Sequence, residues 1–212
     1  MSVIVSPVLP FPNIYWWSSI QNATQVLFDI GEHFEKMSYR NKYNITGANG
    51  LITLSVPLTE GRGQRRAMKD VLICNKDRWQ VQHWRTLMSV YKRAPYFEHY
   101  EPSLFTLFEQ PFEKLIDFNQ ASIDWIKAQL SIVVESSVSS EYVREYKDAI
   151  DLRKNFKPGK EKQALPESAY YQMFSEKNGF YPNLSILDLL FSEGPFTAQW
   201  LKSNSQPIAA WR

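Results

Sequence analysis

The chain has 212 residues, enough for one sizeable domain with its own core and too few for two comfortable ones. Hydrophobic residues make up 44% and charged residues 22%, with a net charge of +2, which indicates neither a disordered chain nor a strongly basic nucleic-acid binder. Cys74 is the single cysteine, so an internal disulfide and a one-chain thiolate cluster are excluded, and no apolar run reaches the roughly 18 to 20 residues of a membrane span.

MSVIVSPVLPFP has no basic start and no small-residue cleavage site. It reads as a first strand stopped by Pro7, and the expected location is cytoplasmic. Pro10 and Pro12 bracket a short loop before NIYWWSSIQNA, a helix, and TQVLFDI follows as a buried strand ending at Asp29. This opening resembles a βαβ unit, in which a carboxylate at a strand's C-terminal end faces a site. In YNITGANGLITLSVPL, Asn49 with Gly50 suits a tight hairpin turn between two β-rich runs. TEGRGQRRA is then a flexible basic loop, and MKDVLIC supplies another strand with Cys74 buried on it.

From Asp77, the expected N-cap, the pattern turns helical over 77–92, then about 103–109, then about 112–130. Ala94-Pro95 closes the first of these, because a residue before proline avoids the helical region. SIVVESSV forms one more short strand, SEYVREYKDAIDLRK a surface helix, and KPGKEKQALPES a mobile loop within the domain. PNLSILDLL starts a last helix capped at Asn183 or Ser185, and EGP ends it. The sum is an α/β protein, a single domain over 1–212. It has a mixed sheet with a βαβ-like N-terminal start, an antiparallel hairpin and covering helices.

Several residues carry candidate chemistry. At helical spacing Trp79, His83, Leu87 and Val90 share a side, so His83 faces inward, either as a structural hydrogen-bonding group or in a buried active-site pocket. The stretch after β-like TQVLFDI packs Asp29, Glu32, His33, Lys36, Arg40 and Asn41 within thirteen positions. There Arg40 suits a two-pronged bond to a carboxylate or phosphate, with Asn41 orienting it; the alternative is a solvated loop with a structural Arg to Asp pair, Glu35 and Lys36 facing water. Arg62, Arg65 and Arg66 in GRGQRR offer a phosphate a weakly specified cradle, without P-loop or dinucleotide spacing. Asp188 in SILDLL needs a partner, Arg40 or Arg153, either as a salt bridge or as a working carboxylate. Tyr171 and Gln172 are polar groups in apolar surroundings. His33, His83 and His99 lack short ligand spacings, so no metal is assigned, and a magnesium site would have to draw on the distant Asp29, Asp151 or Asp188.

Taken in order, PVLPFPNIYWW, FDIGEHFEKMSYRNKYNI, ANGLITLSVPL, RWQVQHWRTLMSVYKRAPYFEHY, DFN, DLR, YYQMF and GFYPNLSILDLLFSEGP resemble the WbqC-like protein family of bacteria, over about residues 3 to 202. The resemblance implies a transferase in surface-polysaccharide biosynthesis, such as O-antigen, moving an amino-acid or acyl group to a sugar. Carried over by matching motif, the catalytic positions are His83, His33, Asp29 and Asp188, and the substrate-binding positions Arg40, Asn41, Lys36, Tyr39, Tyr171, Gln172 and Ser185. The implied partner is a small molecule, an activated sugar or aminoacyl donor, with no nucleic acid and no cofactor specified. IYWW departs from the family's glycine before an aromatic pair, so Ile14 to Trp17 are expected to narrow the substrate's approach. The competing reading is a non-catalytic ligand-binding or scaffold protein using FPNIYWW as an aromatic contact surface, through which oligomers would form. Convergence of Arg40, His83 and Asp188 beside a cleft favours the enzyme; dispersal or burial favours the scaffold.

Overall fold

A computed structural model describes residues 3–59, 66–158 and 168–205. β1 (Val3–Ser6), α1 (Ile14–Ile20) and β2 (Gln25–Asp29) form the expected βαβ opening, β1 and β2 pairing parallel. Pro7 has no N–H for a ladder, so β1 stops before it. Asn13 then starts α1 by accepting the Trp16 amide on Oδ1 at 3.0 Å. β5 (Glu135–Ser139) joins outside β2 and β6 (Ile150–Asp151) outside β1, both parallel, in the order β5-β2-β1-β6. β3 (Lys42–Gly47) and β4 (Gly50–Ser55) form the antiparallel hairpin, with Gly47 opposite Gly50. Gly50 has φ +103, a conformation side chains resist, which is why the turn closes there. The α/β class stands as expected, with parallel and antiparallel pairing divided between two sheets.

α2 (Trp79–Tyr91), α3 (Phe97–Glu109) and α4 (Leu115–Leu130) follow the hairpin, and α5 (Ser175–Asn178), α6 (Ile186–Glu193) and α7 (Thr197–Ser203) end the described chain. Among the described residues no helix is long and apolar enough to cross a membrane. α1 is buried along its whole length, against α6 and α7. Trp16 stacks on Phe28 with ring centroids 6.3 Å apart, and its indole N–H donates to Ser6 Oγ at 2.7 Å. The supposed aromatic contact surface is therefore core: Ile14, Trp16 and Trp17 are fully buried and Tyr15 nearly so. These apolar rings gain more by leaving water than by waiting for a partner, so they neither present an oligomer surface nor narrow a substrate's approach.

Three other local expectations fail. MKDVLIC is not a strand: Met68–Asp70 is a 3₁₀ turn, and Val71, Leu72 and Ile73 bond to different neighbours without forming a ladder, leaving Cys74 half-buried outside any strand. SEYVREYKDAIDLRK is not a helix, because Ile150 pairs beside Ile4 at the sheet edge and Arg153 is drawn inward. Asp77 does not cap α2: Arg78 occupies that position without a side-chain bond, while the Asp77 carbonyl accepts the Trp79 amide at 2.8 Å. α3 also begins earlier than expected, at Phe97, and runs through Pro102. Arg62, Arg65 and residues 159–167 of the polar loop lie outside the described residues.

Candidate functional site

All four parallel strands point their carboxyl ends the same way, and the strand order reverses direction between β1 and β6, the position where open α/β sheets place ligands. Asp29, the last residue of β2, is fully buried there. Its Oδ1 accepts the Gly31 and Glu32 amides, each at 3.0 Å, which turns the chain out of the strand. Its Oδ2 accepts Arg153 Nη1 at 2.6 Å and the Tyr146 hydroxyl at 3.3 Å. Arg153, which follows β6, thus reaches across the end of β1. Its guanidinium also donates to Asp151 and to the Val143 and Arg144 carbonyls, so all five N–H groups are used. Tyr142 and Tyr146 lie against its face at 5.8 and 4.9 Å.

Arg40 belongs to a 3₁₀ turn, Tyr39–Asn41, capped by Ser38 Oγ. It is 1% exposed and grips Glu32 with two prongs, Nε to Oε1 at 2.9 Å and Nη2 to Oε2 at 2.6 Å. Nη2 also donates to the Arg153 carbonyl, and Nη1 to Glu35 at 3.2 Å, leaving one N–H on Nη1. Burial raises the Glu32 pKa, and the Arg40 bonds only partly offset this. Glu35 is not simply solvated, since Lys157 binds it as well. The expected Arg to Asp pair is thus an Arg to Glu pair.

Beside these two arginines opens a recess of about 180 Å³ lined by Glu32, Glu35, His33, Tyr142, Arg144 and Lys154. His33 is exposed and stacks on Tyr142 at 5.9 Å. Among the described residues Arg144 and Lys154 have no side-chain ion pair, whereas the carboxylates of Asp29, Glu32, Glu35 and Asp151 all do. Tyr142, Arg144 and Lys154 were not among the candidates; Glu32 was counted only in the dense polar stretch and Arg153 only as a partner for Asp188, although DLR, an acid two residues before an arginine, carried a signal. Among the described residues no three His, Cys, Asp or Glu groups are placed to share a metal ion. Asp29 and Asp151 instead share Arg153.

His83 and Asp188 lie elsewhere. His83 is buried between α2 and the hairpin, with Nδ1 3.1 Å from the Tyr43 hydroxyl and Nε2 3.3 Å from the Ser55 carbonyl. Burial lowers its pKa to about 4, against the bond to Ser55. Asp188 does not meet an arginine: the Tyr91 and Tyr170 hydroxyls donate to it at 2.7 and 2.8 Å. Burial raises its pKa to about 6 despite those bonds. Gln172 is buried beside it, donating to Tyr170 Oη and to the Tyr181 carbonyl, whereas Tyr171 points outward, 57% exposed. Asn41 donates to the Val56 carbonyl, and Lys36 is exposed. Ser185 caps α6 and, with Tyr39, lines a narrow notch away from the recess. Arg40, His83 and Asp188 share no partner and do not converge; of the candidates, Asp29, His33 and Arg40 do.

Residues 9–162 match the model of the family described as "WbqC-like protein family". No curated protein and no solved structure matches the chain. The matched stretch contains the recess and ends before α6.

Proposed function

The chain belongs to the WbqC-like protein family, and from that premise we propose that it is a transferase of surface-polysaccharide biosynthesis that moves an amino-acid or acyl group to a sugar. In this reading the donor's phosphate or carboxylate enters the recess and meets Arg144 and Lys154. The observation that carries it is a pair of cations that, among the described residues, make no ion-pair contact, although Lys154 lies near enough to Glu35 and Asp151 to lower their pKa values, beside a cleft at the carboxyl edge of a parallel sheet. Arg153 is saturated and Arg40 nearly so; they hold the walls in place. His33 is the histidine at the recess, and its role is general base toward the acceptor hydroxyl. Asp29 positions Arg153 instead of touching the reactants.

The test is thermal-shift and calorimetric titration with sugar nucleotides and aminoacyl donors, on the wild type, Arg144→Ala/Lys154→Ala and His33→Ala. The expected result is binding lost in the cation pair variant, and binding kept with turnover lost in His33→Ala. Absence of any stabilising donor, or unchanged binding in the pair variant, overturns the reading. A binding protein without chemistry is the second reading, favoured by the burial of His83 and Asp188 in separate networks; it requires wild type to bind without forming product.

A further inference from the structure

The notch holds a second, independent set of polar groups. Asn13 and Asn183, 170 positions apart in sequence, both line it, with Ser185, Tyr39, Asn44 and Lys42. The orientation of both terminal amides is fixed, because Asn13 Oδ1 accepts the Trp16 amide and Asn183 Oδ1 accepts the Tyr15 amide at 2.9 Å. This leaves Asn13 Nδ2 and Asn183 Nδ2 buried without a hydrogen-bond partner among the described residues. Asn13 is 8% exposed, so bulk water does not compensate it. Asn44 Oδ1 is likewise taken, by Thr53 Oγ1 at 2.8 Å, and among the described residues no carboxylate lines the notch. Lys42 has no ion pair among the described residues.

The wall of this notch carries backbone strain. Phe11 has φ +38, and that conformation is held by its amide's bond to Ser122 Oγ at 2.9 Å and by Ser185 Oγ donating to its carbonyl at 3.0 Å. The enclosed space is about 10 Å³, room for one oxygen-sized atom. A water placed there accepts two hydrogen bonds and must find acceptors for two hydrogens of its own. An anionic oxygen has no hydrogens to place, and it suits a set of donors whose own oxygens are engaged.

We propose that the notch seats one oxygen of a carboxylate or phosphate group, held by Asn13 Nδ2, Asn183 Nδ2 and Lys42, with the rest of the ligand outside. The Tyr39–Asn41 turn contributes Tyr39 to this site and Arg40 to the recess. None of the residues tested below lines the recess, so failure here leaves the transferase reading standing, and the reverse holds as well.

The experiment follows the side-chain amide NMR signals of Asn13 and Asn183 during titration with sodium acetate or sodium phosphate, with sodium chloride holding ionic strength constant. The expected result is that both amide pairs shift along one saturable curve with at least one of the two anions, the tighter one naming the carboxylate or phosphate class. Asn13→Asp keeps the helix cap and the shape of the side chain but replaces the donor with a negative oxygen, so saturable binding disappears. Lys42→Gln, a second variant that leaves the Lys42 backbone N–H to cap the Tyr39–Asn41 turn, weakens it by about tenfold. No saturable shift with either anion, the result for a resident water only, overturns the proposal. Equal affinity in Asn13→Asp or in Lys42→Gln does so too.

Discussion

Arg40 is a permanent charge at 1% exposure, tolerable only because Glu32 and Glu35 neutralise it and four of its N–H groups have acceptors. Arg40→Met strands the Glu32 carboxylate in the same buried place. The expected loss is about 3–5 kcal/mol, read from urea unfolding, with much of it regained in Arg40→Met/Glu32→Leu, where no charge is left unpaired. Arg40→Met that unfolds at wild-type urea would show the pair to be weakly coupled to the fold. The sequence marked this loop through the density of its polar residues, and the helical period turned His83 inward correctly. It did not reveal that Arg40 meets Glu32, or that Asp188 meets Tyr91 and Tyr170. Partners separated by irregular loops have no shared period, so spacing along the chain says nothing about their distance in space.

β1, β2, β5 and the hairpin were legible because β-branched runs, Pro7 and Gly50 act locally, on neighbours a few positions away, whereas the strand expected in MKDVLIC did not form. Residues 140–154 were not, since their charged, helix-like pattern is overridden by distant groups: Asp29 takes Arg153 and Tyr146, and Lys69 donates to the Ser140 carbonyl at 3.0 Å. Gly31 is what allows this segment to dock on the end of β2. A Cβ there would meet the Tyr142 amide nitrogen at 2.5 Å and the Glu141 carbonyl carbon at 2.6 Å, both backbone atoms that cannot rotate aside. Gly31→Ala should therefore push the segment off, cost about 1–3 kcal/mol as overpacking does, and displace Tyr142 and Arg144 from the recess. Limited trypsin digestion at Arg144 and Lys147 reads this directly: the variant should be cut faster than wild type under native conditions, and equal rates would mean that the docking tolerates a methyl group.

Across the molecule, α2 ties the two buried titrating groups together, since His83 fastens it to the hairpin and Tyr91 fastens it to Asp188 on α6. Their effects on stability run in opposite directions with pH. His83, lowered from 6.5 to about 4, contributes stability above pH 6.5 that is lost as the pH falls toward 4, because unfolding then takes up a proton. Asp188, raised from 3.8 to about 6, contributes stability below pH 3.8 that is lost as the pH rises through 6, because unfolding then releases one. Each shift corresponds to something on the order of 3 kcal/mol, so between pH 4 and 6 the two largely offset one another. The wild-type urea midpoint should accordingly vary less over that range than in either single variant. Asp188→Asn should leave the His83 effect alone, giving a protein that weakens as the medium is acidified from pH 6.5 to 4. His83→Gln should leave the Asp188 effect, giving one that weakens as the pH rises from 4 to 6. Glu32, whose pKa burial also raises, is present in all three proteins and cancels in the differences. Should both variants track the wild-type curve, neither residue titrates on unfolding as its burial requires; opposite slopes would establish that the two groups act on the assembly of α2 against its neighbours.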